Sequence, residues 1–331
     1  MDYPAPFLAL TVGDPCGIGP EITVKALSSL PEPFRSRLIV VGPGLALKNT
    51  ARDLGIVTLL WCPWDHPTLG NIRLIDTGGK QSFRAGTVCK EGGKASIHAL
   101  EEAHKLCRAG VCAGMVTGPI GKMAIHLAGS PFSGHTDMLA AFCGVKATRM
   151  AMVHGRFRVV MTTLHVPYRD VPRLLTPASV FETLRLAHQA FRSARKPFPH
   201  IAVAGLNPHA GEDGLFGIEE REAISPAIAK FRGLNPNVHG PFPADSLYKS
   251  EMRKTMDVFV AHTHDQGLIA IKTLGKLNCV NVTLGLPYVR TSVGHGTAYD
   301  IAGQGVADER GLLAAIKIGF QLTKTRLKKK S

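Results

Sequence analysis

Residues 7–22, FLALTVGDPCGIGPEI, decide how the chain is read. The largely apolar run at 7–12 reads as a strand, and the glycine-rich turn after it ends with Pro20 placed to open a helix. Strand, turn and helix together are the repeating unit of an α/β fold. Gly13, Gly17 and Gly19 are spaced G-x-x-x-G-x-G, which is not the dinucleotide fingerprint, so they are read as a tight connection between elements. Gly92, Gly93 and Lys94 lack the glycine that a P-loop requires and are read in the same way.

Outward from that stretch the alternation continues. Strands are expected at 38–42, 56–61, 72–75 and 113–117, with an amphipathic helix over 93–109. Further strands at 150–153, 158–162 and 200–205 alternate with helices at 178–194 and 218–231, and two more apolar runs, 268–271 and 280–284, read as strands. The pattern predicts an α/β fold with a largely parallel or mixed sheet. No repeat, low-complexity segment or clean linker interrupts it, so two lobes would be joined by more than one crossing.

The 331 residues, 45% hydrophobic and 19% charged, can bury a real core. No apolar run reaches transmembrane length, and residues 1–15 lack the charged and cleavage regions of a signal peptide, so a cytoplasmic location is expected. The seven cysteines are odd in number and form no C-x-x-C pair, which favours reduced thiols over disulfides or a thiolate zinc site. A formal charge of +14 fits a nucleic-acid binder or an enzyme of phosphorylated ligands. With 6% aromatic residues and no recognition motif, the enzyme reading is preferred; neither nucleic acid nor membrane is expected as a partner. The densest basic run, 324–330, reads as a solvated helix tail.

Polar chemistry concentrates in residues 262–305, where His262, His264, Asp265, Lys272, Asn281, Arg290, His295 and Asp300 are interleaved with short apolar runs. A site is being presented at strand ends. His165, His209 and His264 each follow an expected strand. One such histidine alone is more often a hydrogen-bonded structural residue. Three at equivalent strand ends, beside Glu212, Asp245 and Asp265, suggest a divalent-metal site, since neutral imidazoles suit zinc, cobalt or similar ions. His135 and Thr136 lie at an expected helix start, where free backbone N–H groups favour phosphate. Lys272, Asn281 and Arg290 extend this polar set for an anionic substrate; surface cations or structural ion pairs are the alternative for Lys272 and Arg290.

The chain resembles the 4-hydroxythreonine-4-phosphate dehydrogenase family of pyridoxal phosphate biosynthesis. The matching segments are GDPCGIGPEI (13–22), TGPIGK (117–122), SGHTDMLA (133–140), HVPYRDVP (165–172), GLNPHAGEDGLFGIEE (205–220), GPFPADS (240–246), HDQGL (264–268) and VNVTLGLPYVRTSVGHGTAYDIAGQG (280–305). They stand in family order over almost the whole length.

The resemblance implies a fold like that of the isocitrate and isopropylmalate dehydrogenases, two α/β/α lobes around a cleft. Residues 1–135 with 290–331 would form the cofactor side, and 136–289 the metal and dimer side. It implies His165, His209 and His264 as ligands of one divalent ion (zinc, cobalt, manganese or magnesium) shared across a homodimer. His135, Thr136, Lys272, Asn281 and Arg290 would contact substrate, with Asp245 near the metal. HGTAYDIAG resembles the cofactor loop of those enzymes, making His295, Gly296, Thr297, Ala298 and Asp300 the implied contacts to NAD or NADP. The implied reaction is metal-assisted oxidation of 4-phosphooxy-L-threonine and loss of CO₂ to 3-amino-2-oxopropyl phosphate, with Lys272 or Asp245 as proton acceptor.

Two residues depart from the family pattern. Gly294 stands where most of the family has an acidic residue, and Thr263 replaces a usual aromatic. Glycine at 294 is also met in a branch that oxidises terephthalate-type cis-dihydrodiols, but that branch tends to lack the His-Thr pair and the Asn and Arg present here. A branch acting on erythronate or threonate 4-phosphate usually has a histidine where this chain has Leu268. Hydroxythreonine phosphate is therefore ranked first, the sugar-acid phosphates second and the dihydrodiol third.

Overall fold

The computed structural model describes residues 6–68, 70–275 and 278–327. Its strands, in chain order, are β1 (Phe7–Thr11), β2 (Leu38–Gly42), β3 (Trp61–Pro63), β4 (Ile72–Asp76), β5 (Cys112–Thr117), β6 (Arg149–His154), β7 (Phe157–Met161), β8 (Ile201–Ala204), β9 (Val238–Phe242), β10 (Val258–Ala261), β11 (Val280–Leu284) and β12 (Val289–Val293). The chain divides into two units, Met1–Lys146 with Leu286–Lys324, and Ala147–Gly285 with Thr325–Ser331. These limits differ from the 135/136 and 289/290 boundaries expected from sequence. The reason is packing: Met138 and Leu139 of the helix His135–Cys143, together with Leu286 and Tyr288, belong to the first unit's core.

In the first unit the strands run in the order β3-β4-β2-β1-β5-β12, every pair parallel. β2 is buried at all five positions, as a parallel strand covered on both faces must be, which is why it reads as the continuous run LIVVG. The helix Gly19–Ser29 carries Pro20 at its second position, in the first turn as anticipated. The helix Lys90–Arg108 lays Ala99, Leu100 and Ala103 against Ala9, Ile39 and Met115. Gly17 lies in the turn over 15–18, which Gly13, at φ 83, precedes, whereas Gly19 is the first residue of the helix Gly19–Ser29. Gly93, too, is helical: it lies in the first turn of the helix Lys90–Arg108, and any Cβ there would collide with the backbone at Ala124.

In the second unit the order is β11-β6-β7-β10-β8-β9, with the first two pairings antiparallel and the rest parallel. Val159, Met161, Ala202, Ala204, Phe259 and Ala261 form its core together with Leu268 and Ile271. Those last two residues correct the sequence reading. Residues 268–271 are not a strand but part of the helix His264–Gly275. Four consecutive apolar residues fit either period. Gly267 favours the helix, because without a side chain it can lie against Met161 and Val159. The strand expected at 56–61 is also shorter, confined to Trp61–Pro63; Val57 is 78% exposed, so that part of the apolar run is no core strand. The helix expected over 218–231 opens as a π-helix, Glu220–Ile224, and continues as Ser225–Phe231. The 324–330 run begins in the helix Arg310–Leu327, and its residues 328–330 lie outside those described. Among the described residues no helix is long and apolar enough to cross a membrane.

Candidate active site

The ends of three parallel strands of the second unit are tied together by His262. Its Nε2–H donates to Ala204 O, the last residue of β8, at 2.9 Å, and its Nδ1 accepts from Thr162 Oγ1, just after β7, at 3.2 Å. Burial pulls its pKa down to about 4, so the ring is neutral with the proton on Nε2. Gln266 completes the tie, accepting from His262 N and donating to Gly205 O. His262 is thus the structural histidine of the polar stretch.

His165 and His264 sit beyond that tie. Their ring centroids are 5.5 Å apart, and both line a pocket of about 190 Å³ with Thr163, Tyr168, Thr263 and Asp265. His264 Nδ1–H donates to Asp265 Oδ1 at 2.7 Å, which turns Nε2 into the nitrogen that can offer a lone pair. Tyr168 donates to the other oxygen of Asp265 at 2.8 Å. The His264 and Tyr168 hydrogen bonds hold the Asp265 carboxyl below its usual range. Asp245 is exposed and lines an adjoining pocket that shares Tyr168, Thr263 and Asp265. Lys272 is exposed on the helix His264–Gly275, and Asn281 is half-buried in β11. Asn281 Oδ1 is buried with no hydrogen-bond partner among the described residues.

His209 lies elsewhere, in a loop of unusual backbone. Residues 209–213 all have positive φ, four of them non-glycine. The buried Glu220 holds the start of this loop: its Oε1 accepts from Leu206 N and Asn207 N at 2.7 and 2.8 Å, and its Oε2 from Asn207 Nδ2. His209 lines neither pocket. Among the described residues no three His, Cys, Asp or Glu side chains are gathered closely enough to hold a metal ion.

The first unit presents a different surface. His135 opens the helix His135–Cys143 directly after Gly134, with Thr136 in the first turn. Arg290, in β12, is 2% exposed and donates from Nη2 to Thr117 Oγ1, at the end of β5, at 2.7 Å. Desolvation pulls its pKa down to about 10, the mark of a cation that an anionic ligand would stabilise. Burial, and then the Arg290 charge, depress His135 well below its ordinary value. The ring is therefore neutral near pH 7.

The 295–307 segment is held by residues that the sequence reading did not select. Asp14, fully buried, accepts from Tyr299 OH at 2.7 Å, and Ile18 N donates to Thr297 O at 2.9 Å. Glu21 accepts from Gly305 N and Ala307 N, while Lys25 donates to Glu21, Gly305 O and Ala307 O. Thr297 is buried, His295, Ala298 and Tyr299 are partly exposed, and Gly296 and Asp300 are exposed. Ala298 has φ 42. Acidic Asp14 and Glu21 flanking a glycine-rich turn were the available signal, but their partners lie nearly the whole chain away.

Comparison with known proteins is consistent over the full length. A 4-hydroxythreonine-4-phosphate dehydrogenase of Acidithiobacillus ferrooxidans is 39% identical, covering 97% of each chain. A D-threonate 4-phosphate dehydrogenase of Cupriavidus necator is 39% identical, covering 98% of this chain and 99% of that one. The crystal structure of 4-hydroxythreonine-4-phosphate dehydrogenase from Klebsiella pneumoniae superposes with a TM-score of 0.86 at 34% identity, covering 96% and 99%. The fold and these relatives define an oxidoreductase of the 4-hydroxythreonine-4-phosphate dehydrogenase type. Residues 36–319 match the family described as pyridoxal phosphate biosynthetic protein PdxA, and the chain belongs to that family.

Proposed function

We propose that the protein oxidises 4-phosphooxy-L-threonine with NAD⁺ (or NADP⁺) and a divalent metal ion, as a homodimer, with loss of CO₂ to 3-amino-2-oxopropyl phosphate. The observation that carries the reading is the set of cation and imidazoles at the strand ends. The buried Arg290, with neutral His135 and Thr136 at a helix start, offers charge and N–H donors to a phosphate. His165 and His264 offer imidazoles to one pocket.

His165 and His264 suit a zinc, cobalt, manganese or magnesium ion in part: two rings face one pocket, and Asp265 sets the His264 tautomer. His209 does not line it, so the third imidazole is assigned to a second copy of the chain. The loop that carries His209 exposes Leu215 at 74%, Phe216 at 49% and Ile218 at 44%, an apolar patch suited to such an interface. When bound, the ion supplies positive charge that acidifies the substrate's 3-hydroxyl and stabilises negative charge on its oxygen, and NAD⁺ supplies the hydride acceptor. His295, Gly296, Thr297, Ala298 and Asp300 would hold the dinucleotide on the loop anchored by Asp14, Glu21 and Lys25. Lys272 and Asn281 would orient the substrate, and Lys272 or Asp245 would take the hydroxyl proton.

A second reading is favoured by the D-threonate 4-phosphate dehydrogenase relative: the substrate would carry a hydroxyl in place of the amino group. The dihydrodiol of a terephthalate-type acid ranks third, since it has no phosphate for His135 and Arg290. Turnover of 4-phosphooxy-threonine, erythronate 4-phosphate, threonate 4-phosphate and a terephthalate cis-dihydrodiol should be followed by NADH absorbance, with metal-replete and chelated protein. Metal-dependent turnover of the first is expected. Turnover of a sugar-acid phosphate alone would move the protein to the second reading, and turnover without metal would sink the metal assignment.

A further inference from the structure

Cys16 lies in the turn after β1, fully buried, and Cys89 is the N-cap of the helix Lys90–Arg108, half-buried in an exposed segment. Their sulfurs are 3.6 Å apart although the residues are 73 positions apart in sequence. Gly92 N–H donates to Cys89 Sγ at 3.3 Å, at the start of the helix. Cys16 differs. Burial, the Cys89 contact and the Asp14 carboxylate together push its thiol up to about 12, so it remains protonated and inaccessible. One sulfur is placed to meet an oxidant and the other to capture the product.

We propose that Cys16 and Cys89 form a redox modification site in which a hydroperoxide oxidises Cys89 and Cys16 closes a reversible disulfide beneath the 295–305 loop. In the first step Cys89 sulfur attacks the peroxide: an S–O bond forms, the O–O bond breaks, sulfur is oxidised by two electrons, and hydrogen peroxide leaves one of its oxygens as water. In the second, Cys16 sulfur attacks the Cys89 sulfenic acid. The S–S bond forms, the S–O bond breaks, and the hydroxyl departs as water with the Cys16 proton. A dithiol reductant reverses the bond by exchange.

The disulfide draws the sulfurs from 3.6 Å to about 2 Å, and the turn around Cys16 must absorb the motion. That turn is built into the candidate cofactor loop. Cys16 O accepts from Gly86 N, Ile18 N donates to Thr297 O, and a Cβ at Gly17 would stand 2.8 Å from Thr297 O, so little movement is tolerated there. Closing the bond therefore shifts the 297–299 segment. That last consequence rests on the cofactor reading of the loop; the disulfide itself does not.

The test uses the full chain, treated with hydrogen peroxide near stoichiometry, alkylated and digested for mass spectrometry. A peptide pair joined through Cys16 and Cys89, lighter by two hydrogens and released by dithiothreitol, is expected. Cys89→Ser should remove it, and Cys16→Ala should leave Cys89 as a sulfenic acid that dimedone captures. Recovery of both cysteines as alkylated thiols, or a cross-link between two chains, would overturn the site. The oxidised form should bind NAD about tenfold more weakly, with recovery on reduction. Equal NAD binding by both forms would overturn the regulatory consequence. NAD binding by neither form would instead remove the cofactor reading and leave the disulfide result standing.

Discussion

In the first unit, the segment that follows β12 is bonded at both ends by its own chain, through Asp14 to Tyr299 and through Glu21 and Lys25 to residues 305–307. In the second, His165 at φ 44 and the five-residue run from His209 hold left-handed backbone, and both histidines are exposed. The first surface is tied to its own chain by these bonds; the second carries left-handed backbone at non-glycine residues. Strained non-glycine backbone of this kind clusters at active sites and ligand clamps. On the proposed reading, one unit would bind its ligand as a single chain, while the other would need a metal ion and a second copy to complete it.

The largest expected effect tests that incompleteness. Lys272→Ala should lower kcat by about 10²–10⁴-fold, and His209→Ala should be at least as damaging. Each site would draw His209 from the other copy, so mixing the two inactive variants and allowing exchange should restore activity. Mixtures that stay inactive while sedimenting as heterodimers would break the comparison.

The next effect tests the first unit. If Arg290 binds the substrate phosphate as proposed, Arg290→Met should raise KM by about 10–100-fold through lost charge-assisted hydrogen bonds. It also removes a buried, desolvated cation, so the melting temperature should hold or rise. A fall in both stability and affinity would mean that Arg290 serves the fold instead.

A smaller effect separates support from chemistry in the second unit. Glu220→Gln places an amide against Asn207 Nδ2 and weakens the anchor of the 209–213 loop, costing about 1–3 kcal/mol in denaturant unfolding. Proteolysis should then begin in that loop. Cleavage elsewhere would mean that the loop is held by other contacts.

The smallest effect is a pH dependence in the first unit. An unfolded His135 takes up its proton near 6.5, whereas the folded ring resists protonation to well below that value. The unfolded state then binds more protons in that window, so the His135 contribution is whole above pH 6.5 and is lost as pH falls toward the folded value. His135→Asn should flatten this part of the stability profile. An unchanged profile would show that the ring is not desolvated as described.

Much of this was legible in the primary structure. The buried parallel strands, Pro20 at a helix start and His135 opening another helix follow from local periodicity and from backbone preferences. The misreadings share one cause. Residues 268–271 and 56–61 are short apolar runs, and whether such a run becomes a strand, a helix or an exposed turn depends on what packs against it. His262 was grouped with the site because type and position could not tell it from His264. Only burial at 0% exposure and its two bonds to neighbouring strand ends make it structural.

By itself the sequence determined the α/β class, the family through ordered motifs, and the set of side chains available for chemistry. Those properties are carried by neighbours a few residues apart, where sterics and hydrophobic spacing act directly. The tertiary structure alone decided that Asp14 holds Tyr299 across 285 positions, that Lys25 reaches Gly305 across 280, and that Cys16 meets Cys89. It also decided that His165 and His264 share a pocket that His209 does not line. Such pairings arise from how helices pack on strands, and no local pattern encodes the distance between two residues that the chain brings together only when it closes its core.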